Sequence, residues 1–104
     1  MTAPYIEKNV QAAATLLKAL SNEKRLMIVC SLKREELSVG ALEELVGLSQ
    51  SALSQHLARL RRDGIVKTRR DAQTIYYSIK DDATKEILFL LEKLFSQLLS
   101  EDNL

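Results

Sequence analysis

The chain has 104 residues, of which 46% are hydrophobic, and a formal net charge of +1. That is the size of one domain, residues 1–104, with enough apolar side chains for a core; small domains still bury a limited share of their surface and gain from sharing apolar helices between two copies. A run of about 18 apolar residues, the minimum for a membrane-spanning helix, is absent, the N-terminal MTAPYIEKNV lacks a signal peptide's basic-then-apolar layout, and a lone Cys30 gives no internal disulfide framework and suits a reducing cytoplasm.

The charge is unevenly placed. Residues 1–48 carry six basic and six acidic side chains, residues 49–80 seven basic against two acidic, and residues 81–104 two against six. A basic block in one third of a neutral chain is the expected footprint of a polyanion partner. A solvated charged surface is the plain alternative.

In chain order, Val10, Ala13, Ala14, Leu17 and Leu20 recur at helical spacing, which predicts a helix over about 7–20. Ser21 interrupts it and is a candidate cap for a second helix, with Glu23 complementing the positive end. That second helix carries Leu26, Met27, Val29, Cys30 and Leu32. SVGALEELVG reads as a short third helix capped by Ser38 and stopped by Gly47. Ser49 caps a fourth, over about 49–63, in which Leu53, Leu57 and Leu60 form a narrow inward stripe. Gly64 ends it. The period then changes to two. IVKTRR and TIYYSIK are rich in β-branched and aromatic residues, and Ile75, Tyr77 and Ile79 alternate on one face. DAQ turns between them, making a hairpin over about 65–80 with arginines at its tip. From about 82 to 100 a last helix is apolar around most of its circumference, which predicts burial between subunits.

A short helix, a tight GLS turn and a polar-faced helix make the helix-turn-helix layout, whose second helix enters the major groove N-terminus first. A basic hairpin directly behind it reads as a wing. Ser49, Gln50, Ser51, Ser54, Gln55 and His56 lie in the first two turns, where base edges come within reach. Gln55 can pair bidentately with adenine and an arginine with guanine. The serines and the helix-start N–H groups can donate to phosphates. Arg59, Arg61 and Arg62 lie nearer the DNA backbone or Asp63. Arg69 and Arg70 can reach phosphate or a narrow minor groove, and Gln73 at the tip joins the set.

LKALSNEKRLMIVCSL, ELSVGALEELVGLSQSALSQHLARLRRDGIV and RRDAQTIYYSIKD together resemble the ArsR/SmtB family of dimeric winged-helix regulators over roughly residues 10–96. Within it the chain is most similar to the branch of HlyU-like virulence regulators and dithiol sensors of oxidants and reactive sulfur. The resemblance implies a mainly helical winged helix-turn-helix, four helices, two strands and a helix, dimerising through its first and last helices. It implies no cofactor.

The resemblance puts His56 on the recognition helix, for DNA contact or local packing; a single histidine without Cys, His or carboxylate neighbours is a poor ligand set. Family metal sites use an ELCVCDL-like stretch, and here Glu36–Leu42 has Ser38 and Gly40 in place of both thiols. Asp81, Asp82 and Glu86 on the last helix lack a histidine and read as a favourable helix N-terminus. No metal is expected. The dithiol branch pairs a cysteine of the second helix with one of the last. Cys30 matches the first position and Ser96 occupies the second, either because the natural protein lacks the pair or because cysteine was replaced. Cys30 alone reads either as a small buried hydrophobe or as a thiol that oxidises.

The expectation is a cytoplasmic homodimer binding inverted-repeat promoter DNA, possible roles being virulence-gene control by anti-silencing and a response through Cys30. The alternative is a ligand-independent module whose last helix binds another protein. No catalytic set or phosphate loop points to an enzyme.

Overall fold

The computed structural model describes residues 4–95, in the order α1 (Pro4–Leu20), α2 (Glu23–Ser31), β1 (Leu37–Ser38), α3 (Val39–Val46), α4 (Gln50–Arg62), β2 (Val66–Asp71), β3 (Thr74–Ile79) and α5 (Asp82–Leu94). The sheet is antiparallel with strand order β1-β3-β2. The fold is thus the expected winged helix-turn-helix with one addition. The sequence showed only the hairpin; β1 is two residues long, too short to display a period, and exists because Leu37 and Ser38 pair with Tyr77 and Tyr76.

Local chemistry explains most helix ends. Ser38 Oγ accepts from the Ala41 N–H, Ser49 Oγ from Ala52, and an Asp81 carboxylate oxygen from Thr84. Gly47 closes α3 with φ 65. The second helix is a correction: Asn22, not Ser21, caps it, its Oδ1 accepting from the Lys24 and Arg25 N–H groups at 2.9 and 3.0 Å. Ser21 is already occupied, its hydroxyl donating to the Lys18 carbonyl at the end of α1. Arg25 finishes that end by donating Nε to the Ala19 carbonyl at 2.8 Å and Nη2 to Lys18 at 3.1 Å.

One apolar core gathers Leu20, Ile28, Leu32, Leu42, Leu53, Leu57, Leu60, Ile65, Val66, Ile79 and Leu88. The predicted stripe Leu53–Leu57–Leu60 is fully inside. On α2 the inward residues are Ile28 and Val29, and Met27 faces out. Ile79 is buried and Tyr77 packs on the core, so the hairpin's apolar face is held down. The turn is tighter than DAQ suggested: Asp71 pairs with Thr74, leaving only Ala72 and Gln73 in the loop. Ala72 takes φ 55, where hairpin turns favour glycine.

α5 is fastened at α2. Lys33, almost wholly buried, ion-pairs with Glu92 at 3.3 Å, and Arg34 reaches the same carboxylate at 3.4 Å while lying over the Phe89 ring. Leu88 is fully buried in the core and Ile87 packs against it, whereas Leu90, Leu94 and Phe95 are 53%, 64% and 60% exposed. Val10 and Leu17 on α1 are exposed as well. Residues 96–100 of the expected last helix, Ser96 among them, lie outside the described residues. No described helix is long and apolar enough to cross a membrane.

Candidate nucleic-acid interface

α4 buries Leu53, Leu57 and Leu60 and so must turn the rest of its circumference outward. Gln50, Ser51, Ser54, Gln55, Ala58, Arg61 and Arg62 are all exposed. Gln50, Ser54, Ala58 and Arg61 follow one another along one flank. With Arg62, Leu57, Val39 and the wing residues Ile75 and Tyr77 they line a groove of about 700 Å³ between helix and wing. Ser51 and Gln55 stand farther round, on the side pointing away from the core. Ser49 is exposed at the N-cap, where the first N–H groups of the helix lack intrahelical partners.

The expected contact residues do not form one set. His56 is half-buried on the opposite flank of α4. Burial, and then the nearby Arg25 guanidinium, hold its imidazole below the usual histidine range, so it is neutral at neutral pH. Arg59 is turned into its own helix, its Nε donating to Asp63 at 2.9 Å; Arg62 approaches the other oxygen of that carboxylate at 3.6 Å. Among the described residues Arg61 has no ion-pair partner, and sequence reasoning undervalued it. The signal was available, because Gln50, Ser54, Ala58 and Arg61 recur at helical spacing.

The wing arginines are separated by strand alternation. Arg70 lies opposite Ile75, on the sheet face that lines the groove, and Arg69 lies opposite Tyr76, on the other face. Arg70 is exposed and takes no ion-pair partner among the described residues. Arg69 grips Glu36, Nη2 to Oε1 at 2.5 Å and Nε to the same oxygen at 3.0 Å, and its guanidinium lies 4.5 Å above the Tyr76 ring. That hydrogen bond holds the Glu36 carboxyl below its usual range. Glu36 escaped the sequence reading because its partner is 33 residues away. Gln73 is exposed at the tip.

Away from this face, Cys30 is half-buried against the core. Burial pushes its thiol up to about 12; Lys33 lowers it and Glu92 raises it to a smaller extent. At neutral pH it is a thiol and not a thiolate, hence a weak nucleophile. The described residues hold no group of three or more His, Cys, Asp or Glu able to hold a metal ion.

Comparison with known proteins agrees with this geometry. Residues 22–68, from the cap of α2 into the wing, match the family model "Bacterial regulatory protein, arsR family". The transcriptional activator HlyU of Vibrio cholerae serotype O1 is 52% identical over 93% of this chain and 90% of its own length. The nodulation protein NolR of Rhizobium meliloti is 53% identical over 88% of this chain and 75% of its own. A solved structure of HlyU from Vibrio cholerae superposes with a TM-score of 0.85 at 54% identity, covering 88% of this chain and 99% of that one. By fold, by motif and by identity along nearly its whole length, the chain belongs to the arsR family of bacterial regulatory proteins.

Proposed function

We propose that this chain is a cytoplasmic, sequence-specific DNA-binding transcriptional regulator, a single domain that acts as a homodimer on inverted-repeat promoter DNA. The observation that carries the reading is the exposed polar flank of α4 running beside the wing residues Ile75 and Tyr77, with Arg70 paired to Ile75 on that sheet face. In the proposed complex, α4 enters the major groove and Gln50, Ser51, Ser54 and Gln55 meet base edges. Ser49 and the free N–H groups beside it take a phosphate, and Arg61 and Arg70 neutralise others. The exposed apolar residues of α1 and α5 supply the surface that joins two copies, presenting two recognition helices to half-sites about one helical turn or more apart. Membership in a family of regulators makes the role non-enzymatic.

Gel-shift titration of the chain's own upstream region tests the reading. Alanine at Gln55 or at Arg70 weakens binding; two variants equal to the parent would place the DNA face elsewhere.

The resemblance to the HlyU-like branch implies control of virulence genes by anti-silencing, and the similar HlyU of Vibrio cholerae is a transcriptional activator. A response to oxidants or reactive sulfur through Cys30 runs against a thiol held protonated by burial. On this chemistry peroxide or polysulfide leaves DNA affinity unchanged. Light scattering separates the dimer from the alternative of a module whose apolar α5 face binds another protein: that alternative requires a monomer.

A further inference from the structure

Resting on the DNA-binding reading above, we propose that Arg69 is a positioning residue: it braces the wing across the sheet, and Arg70 is the wing arginine that meets the DNA backbone. The brace is visible as a stack. Arg69 leaves the edge strand β2, passes over the Tyr76 ring of the central strand β3, and ends on Glu36, which immediately precedes β1. One side chain therefore ties together all three strands, and it ties the hairpin to the segment that leads directly into α3 of the helix-turn-helix. Such a tie matters because β1 is only two residues long and cannot itself fix the tilt of the hairpin.

The geometry favours bracing over phosphate contact on two counts. Arg69 shares its sheet face with Tyr76 and not with Ile75, so it lies on the side away from the groove beside α4. Its fork is also already engaged: Nε and Nη2 both donate to Glu36 Oε1, and Asp71 stands 4.0 Å from Nη1. The fork is a property of arginine. Lysine keeps the charge but loses the planar, two-donor grip and the stacking on the ring.

Two substitutions give opposite signs for the two roles. Removing the negative charge of Glu36 should by itself favour a polyanion, and it would free Arg69 if that residue were a phosphate contact held in reserve. A brace predicts the reverse. Anisotropy titrations of the full chain on its own upstream duplex, over about 50–300 mM salt, would compare the parent with Glu36→Gln, Arg69→Lys, their combination and Arg70→Ala. The expected result is a loss of affinity of about threefold, the scale of a well-formed exposed pair, for Glu36→Gln and for Arg69→Lys. The double variant is no worse than either single one, because both break the same tie. None of the three alters the salt slope, whereas Arg70→Ala lowers it by about two for a dimer. Tighter binding by Glu36→Gln, or full affinity in Arg69→Lys, overturns the proposal and makes Arg69 a direct contact. If the parent binds no duplex, the DNA-binding reading has failed and the brace is judged by amide exchange. Faster exchange across residues 66–79 in Glu36→Gln and Arg69→Lys then supports it, and unchanged exchange overturns it.

Discussion

α4 and α5 are both helices of 13 residues, and each packs one face on the same core. Their outer faces could hardly differ more. α4 buries three leucines and shows water serines, glutamines and arginines. α5 buries Thr84 and Leu88 and shows water Phe89, Leu90 and Leu94, with Phe95 exposed at its C-cap. The first surface is at ease in solvent and suits a partner that is itself polar and hydrated. The second suits another apolar surface, since contiguous exposed apolar residues mark association sites. Within this one chain, the DNA-binding reading belongs to α4 and the self-association reading to α5.

The largest expected effect lies in the inner faces. Leu53→Ala on α4 empties a fully buried site and costs about 2–5 kcal/mol by urea unfolding, whereas Leu94→Ala on α5 costs the isolated chain only a few tenths. Equal losses, measured at a concentration where the chain is monomeric, would mean that α5's outer face is covered within the chain. Next come the outer faces. Gln55→Ala weakens DNA binding by about 1–3 kcal/mol, and Arg61→Ala weakens it across sequences and lowers the salt slope by about two for a dimer, both with unfolding unchanged. Leu94→Glu leaves unfolding of the single chain nearly unchanged but lowers the mass seen by light scattering to that of a monomer.

Smaller effects sharpen the contrast. Thr84 is completely buried, and its hydroxyl has no hydrogen-bond partner among the described residues, so Thr84→Val is expected to raise stability by about 1 kcal/mol, read from the urea midpoint. A loss instead would show that the hydroxyl is satisfied. The smallest effect is the pH dependence from α4's inner flank. His56 titrates lower in the folded chain than in the unfolded one, so its contribution is present above about 6.5 and lost as pH falls through the folded value. His56→Gln should flatten the acid side of a stability-against-pH curve; an unchanged curve would remove His56 from the account.

The helices were legible because their signals are local. Ser38 and Ser49 each stand just before an apolar period, and Leu53, Leu57 and Leu60 return every three or four residues; caps and cores of this kind need no knowledge of the rest of the chain. Ser21 and Asn22 are adjacent and both able to cap, and the choice between them turned on the end of α1, where Ser21 was already engaged. Contacts made across the fold were not legible. Arg69 and Glu36 meet only because β1 pairs with β3, and nothing near Glu36 in sequence announces it. Nor does composition distinguish Arg69 from Arg70: both are exposed arginines, and the two-residue alternation of one strand sends them to opposite faces. The basic block over 49–80 was a true property of the chain, but folding divided it, with Arg59 and Arg69 paired internally and Arg61 and Arg70 left outward.

The most direct test of the contrast between α4 and α5 is amide exchange along the full chain with and without the duplex from its own upstream region. The account predicts that DNA slows exchange at the start of α4 and along the wing, residues 49–62 and 66–79, and leaves α5 as it was. Protection confined to α1 and α5, with α4 exchanging as before, would contradict it.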